Sequence, residues 1–98
     1  MKFEIVVSEA AEREIEDAVN WYNKINPRLE DELYNEIDFC YLFISDNPTI
    51  FRFIFKEVRA IILPKFPFTI YYKIVDDYIE ILSFFHHKCN PKIWKKRT

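Results

Sequence analysis

The sequence predicts an α+β domain in the order β-α-α-β-β-β, with a two-helix hairpin packed on one face of a mostly antiparallel, twisted sheet. Three observations carry this. The stretch from Glu57 to His87 is dominated by isoleucine, valine, phenylalanine and tyrosine, which suit a pleated, packed surface. Residues 9–45 instead repeat their apolar groups at helical spacing, in two runs. Between those runs stands Asn26-Pro27, which ends one helix and opens the next. The 98 residues make one domain, 1–98, and with half of them apolar and 18% aromatic it can bury a single core.

Residues 2–7 form the first strand. Ser8 caps the first helix, its hydroxyl placed to accept an orphan amide, and Glu9 and Glu12 suit the positive helix end. The full capping box is missing, because Ala11 stands where the acid belongs. This helix runs to about Lys24 on an apolar stripe of Ala11, Ile15, Ala18, Val19 and Tyr22. The second helix starts at Pro27, with Leu29, Leu33, Ile37, Cys40, Tyr41 and Ile44 inside and Glu30, Asp31, Glu32, Glu36 and Asp38 outside. Ser45 to Pro48 stops it.

Thr49 to Lys56 alternates loosely, as an extended lead-in or a short strand. Glu57 to Leu63 is a strand with Val58, Ala60 and Ile62 on one face and Arg59, Ile61 and Leu63 on the other. Pro64 to Pro67 is a rigid link, since each proline also restricts its predecessor. Phe68 to Val75 is the next strand. Asp76-Asp77 fits a two-residue turn, which sets Val75 against Tyr78 and Lys73 against Glu80. In the last strand, residues 78–87, Ile79, Ile81 and Phe85 alternate with Leu82, Phe84 and His86. Asn90-Pro91 ends it, before a basic tail, PKIWKKRT. The helices cover one sheet face and leave the other available.

Composition removes several function classes. With no glycine in the chain, a glycine-rich phosphate loop is excluded and turns fall to Asn, Asp, Pro and Lys. No apolar run is long enough to span a membrane. The start turns acidic where a signal peptide needs its hydrophobic stretch, which places the protein in the cytoplasm and leaves Cys40 and Cys89 reduced. The net charge of -2 conceals an opposition between the halves. Residues 1–48 carry 4 basic and 12 acidic side chains, residues 49–98 carry 10 basic and 4 acidic. The second half therefore suits a polyanion or an acidic peptide, or the halves attract each other across the fold.

Arg59, in the middle of an apolar strand, needs a partner: an acid, a carboxyl terminus or a phosphate. Lys65 shares its parity, while Lys88, Lys92, Lys95, Lys96 and Arg97 follow the last strand with Trp94 among them. Cations interleaved with aromatics suit single-stranded RNA, or form a solvated edge and tail. His86 near such a site can carry a proton at neutral pH. His86, His87 and Cys89 diverge along the strand end and find no second ligand pair, so no metal or other cofactor is expected.

The ordered set resembles the RelE/ParE superfamily of small toxins from type II toxin–antitoxin pairs, often labelled plasmid stabilisation proteins. The likeness rests on AEREIEDAVNWYN with its Trp21-Tyr22, then Val58-Arg59, LPKFPFTIYYKI and ILSFFHHKCNPKIW, and it spans nearly the whole chain. It implies that Arg59, Lys65 and His86 take the positions used for catalysis where members cleave messenger RNA. Phe68 stands where tyrosine is usual, and Cys89 where arginine is usual. The expected function is a toxin that inhibits growth by metal-independent, ribosome-dependent mRNA cleavage. Two alternatives stand beside it: a ParE-like inhibitor of DNA gyrase with no chemistry of its own, or an inactive member that keeps its antitoxin contact. The implied partners are a cognate antitoxin and either the ribosome with its mRNA or gyrase, contacted through Lys88, Trp94, Lys95, Lys96 and Arg97.

Overall fold

The computed structural model describes residues 3–86: β1 (Glu4–Val7), α1 (Glu9–Ile25), α2 (Pro27–Asp46), β2 (Phe53–Phe55), β3 (Val58–Ile62), β4 (Phe68–Val75) and β5 (Tyr78–His86). The strands make one sheet in the order β1-β5-β4-β3-β2, with β1 parallel to β5 and every other pair antiparallel. The fold class and the helix pair on one sheet face are as the sequence predicts. Among the described residues no helix is long and apolar enough to cross a membrane.

Both helix starts are set by their caps. Ser8 Oγ accepts from the Ala11 amide at 3.1 Å, and Asn26 Oδ1 from the Arg28 amide at 3.0 Å. Ala11, Ala18 and Val19 of α1 and Leu33, Ile37, Cys40 and Ile44 of α2 then pack on Ile61, Ile70, Tyr72, Ile79, Ile81 and Phe84 of the sheet. Each such large side chain taken fully out of water contributes roughly 1.5–3 kcal/mol before the entropy of ordering it. Burial, and then the nearby Glu36 charge, push the Cys40 thiol up to about 11. Tyr72 is wholly buried and donates its hydroxyl to the Pro48 carbonyl at 3.1 Å, which anchors the loop after α2 to the sheet.

The ambiguous stretch before Glu57 contains β2, joined to β3 by a hairpin in which Phe55 faces Val58. Lys56 takes φ 50 in that turn. Lys-Glu is not a turn signature, which is why the sequence left this segment open. The other hairpin stands as expected, with Val75 against Tyr78, Lys73 against Glu80, and Asp76 at φ 53.

The structure corrects two expectations about faces. Tyr71 pairs with Ser83 but Tyr72 pairs with Ile81, so Leu82 is extra and β5 bulges. The bulge reverses the parity. Ile79 and Ile81 therefore share the helix-side core with Phe84, while Leu82 and Phe85 lie together on the opposite face. That opposite face is not bare either. Val58 and Leu82 are buried there, with Phe55, Tyr71 and Phe85 packed against them.

Candidate functional site

A groove of about 660 Å³ opens between α1 and the far ends of β4 and β5. Trp21 and Tyr22 bring the helix to it, Phe68 and Phe84 form its floor, and His86 closes one end. Helical spacing puts Ala18 and Tyr22 on the inner side of α1, and Trp21 at its shoulder, 59% exposed. The rings interlock: Phe68 stacks on Phe84 at 4.5 Å, Tyr22 meets Phe66 edge-on at 5.1 Å and Trp21 at 4.9 Å, and His86 meets Phe68 at 5.4 Å. Burial raises the Tyr22 phenol above its ordinary value. Glu14 and Asp17 stand on the rim, and Glu14 accepts from the Phe84 amide at 3.2 Å. An apolar floor with a few polar groups at the edge is built to bind an apolar segment.

Arg59 lies on the helix-side face, but its partner comes from inside the chain. Its Nη1 donates to the carbonyls of Thr49, at 3.3 Å, and Phe51, and its guanidinium lies 4.2 Å from the Phe53 ring centre. The expected acid or phosphate is thus replaced by two loop carbonyls and a ring, and among the described residues the buried Nε finds no hydrogen-bond partner. The arginine holds the loop that carries β2. Lys65 comes after β3, in a hollow with Glu32, Asn35, Glu36 and Phe39. Arg59 shares a ladder position with Tyr72, and His86 with Phe68 four residues away. At roughly 3.3 Å per residue and 4.8 Å per strand, their Cα atoms stand about 16 Å apart. The fold therefore does not gather Arg59 and His86 round one phosphate. Lys88, Cys89, Trp94, Lys95, Lys96 and Arg97 lie outside the described residues, as does His87.

Sequence reasoning placed Glu36 on the outer face of its helix, and the structure corrects this. Glu36 is only 9% exposed, and its two carboxylate oxygens accept from the Lys65 and Phe66 amides at 2.9 and 3.1 Å. The carboxylate thereby fixes the link between β3 and β4. The signal was available: Glu36 stands three residues after Leu33 and four before Cys40, on the buried stripe itself. A second hollow between the helices holds Glu12, Glu16 and Asp38 around Tyr41, whose phenol is raised by burial, then by Asp38. No group of three His, Cys, Asp or Glu side chains among the described residues could hold a metal ion.

Comparison with known proteins adds two findings. Residues 5–91 match the family model of the ParE toxin of the type II toxin–antitoxin system parDE. A solved structure from P. aeruginosa, of a chromosomal ParDE toxin–antitoxin system, is similar in fold, with a TM-score of 0.74 at 17% identity over 87% of this chain and 96% of that one. Among curated proteins, no sequence matches.

Proposed function

The chain belongs to the ParE toxin family of type II toxin–antitoxin systems, and from that premise we propose that it arrests growth by binding DNA gyrase. The observation that carries the reading is the family match across residues 5–91. It overturns the expectation of ribosome-dependent mRNA cleavage, and endoribonuclease activity and RNA binding go with it. The match is to the ParE branch, which the sequence had offered only as an alternative. The spread of Arg59 and His86 along the sheet supports a mode without chemistry. Cys89 in place of the usual arginine bears on RNA cleavage, so it does not weaken this reading.

The partner that restrains the toxin is a cognate antitoxin. The groove between α1 and β5 and the apolar surface around β2 supply contact area for such a partner.

The test is inducible expression in a bacterial host without the neighbouring gene. Growth arrest with altered plasmid supercoiling and intact messenger RNA is expected, and the purified protein should inhibit supercoiling by gyrase. Arrest with codon-phased RNA ends and unchanged supercoiling would overturn the proposal.

A further inference from the structure

The sheet face turned away from the helices is buried, yet the described residues give it no second layer. Leu82 is 4% exposed there, and Ser83, which pairs with Tyr71, is 0% exposed. Val58, Leu82 and the rings packed on them, Phe55, Tyr71 and Phe85, all belong to the sheet itself. Both helices pack on the other face, with Ile79, Ile81 and Phe84. An antiparallel strand keeps its outer side chains partly in water when nothing lies over them. A sealed serine in the middle of β5 therefore requires a cover. Ser83 Oγ is also without a hydrogen-bond partner among the described residues, so that cover owes it a polar group. Two segments could supply it from within the chain, residues 1–2 and 87–98. Glu4 is level with Tyr78, roughly 15 Å along the sheet from Ser83, and two residues span only about 7 Å. Residues 87–98 follow directly on β5.

We propose that residues 87–98 fold back over this face, with Trp94 seated on Phe85, Leu82 and Ser83. The inference does not depend on the toxin reading above. A bend across Lys88 to Pro91, where Asn90-Pro91 is a turn pair, brings Lys92 back beside the end of β5. Trp94 then stands over Phe85, and its ring reaches Ser83. Tryptophan brings both things the face lacks, a broad apolar surface and one N–H donor. Charge follows the same order. The tail carries Lys88, Lys92, Lys95, Lys96 and Arg97 and no acid. Toward the far end of β5 the face carries Glu4 and Glu80 against one cation, Lys73, and the Asp76-Asp77 turn lies beyond. Lys95, Lys96 and Arg97, which follow Trp94, run toward those acids. The groove beside α1 is the other apolar seat within reach. Trp21 remains 59% exposed there, whereas Leu82 and Ser83 are sealed.

The experiment is nuclear Overhauser spectroscopy of the full chain, alone and dilute enough to sediment as a monomer. Cross-peaks from the Trp94 indole to the Ser83 and Leu82 side chains are expected. The Leu82 methyls should carry an upfield ring-current shift that Trp94→Leu removes. A second measurement uses Trp21→Phe, which leaves Trp94 as the single indole. Its emission should be blue-shifted in the native protein and several-fold less quenched by acrylamide than in urea. Cross-peaks from Trp94 to the Ala18 methyl instead would place the tail in the α1 groove and overturn the proposal. An indole quenched as readily in the native protein as in urea would overturn it too. So would a Leu82 that meets an aromatic ring only in a dimer, since a second copy would then be the cover.

Discussion

The two sides of the sheet treat their backbone differently. Where β1 ends, one backbone amide and two polar side chains continue its work on β5: the Ser8 amide donates to the Ile81 carbonyl, Ser8 Oγ donates to the Leu82 carbonyl, and Glu14 accepts from the Phe84 amide. Ser45 closes the start of β1 in the same way, its hydroxyl and carbonyl both bonded to the Phe3 backbone. At the opposite side β2 covers two residues of β3 and stops. The edge beyond it is flanked by exposed apolar side chains, Ile54 and Ile62 among them. A strand edge is a pairing hazard that proteins normally blunt or cover. The side completed by hydrogen bonds ties its backbone down, while the side beyond β2 keeps apolar side chains exposed. Substitutions should separate accordingly.

The largest test goes against the grain, because Glu36 is a polar clamp on the open side. Glu36→Ala leaves the Lys65 and Phe66 amides without an acceptor in a buried setting. At roughly 1–3 kcal/mol per unsatisfied group, a loss of about 3 kcal/mol in urea unfolding is expected. A loss below about 1 kcal/mol would mean that water replaces the carboxylate, and that this loop is as open as the edge beside it.

Next in size is a pH effect at Tyr72, which ties the centre of the sheet to Pro48. Burial pushes its phenol up to about 12, against a lowering by Arg59. Below about pH 10 the phenol is neutral in both states and contributes no pH dependence. Above that the unfolded phenol ionises first, so stability is lost as pH rises toward 12, by about 2 kcal/mol from this group. Tyr72→Phe should flatten the alkaline slope by that amount, measured by chemical denaturation at stepped pH. An unchanged slope would assign it to Tyr41 instead.

On the completed side, Ser8→Ala removes a helix cap and a β5 contact together. A loss of about 1–2 kcal/mol is expected, with faster amide exchange at Ala11 as its local sign.

The same contrast explains what could be read in the sequence. Local chemistry was legible: Ser8 and Asn26 cap because their side chains reach amides two or three residues on, and Asp76-Asp77 fixes the register of β4 on β5. Non-local geometry was not. The extra residue at Leu82 leaves no mark in the alternation of apolar groups, so the faces of Phe84 and Phe85 were exchanged. Arg59 announced a need for a partner, but Thr49 and Phe51 satisfy it with backbone carbonyls, which every residue carries. For the same reason the open edge was invisible, because it depends on where β2 stops. What set the expected mRNA cleavage aside was the match to the ParE toxin family, which the fold alone does not supply.

The smallest prediction concerns the two hairpins, each made without glycine. Lys56 and Asp76 hold φ of 50 and 53, the left-handed region that costs an ordinary residue roughly 1–2 kcal/mol. Aspartate tolerates this region because its short side chain can bond locally, and lysine has no such means. Glycine removes the steric cost but enlarges the freedom of the unfolded chain. Lys56→Gly should therefore stabilise by about 0.5–1 kcal/mol, and Asp76→Gly by little or nothing, read as shifts in urea midpoint at constant slope. If the two gains were equal, the short β2 hairpin would be no more strained than the long one. The open edge of β3 would then owe its shape to Arg59 and its loop carbonyls rather than to the turn that starts it.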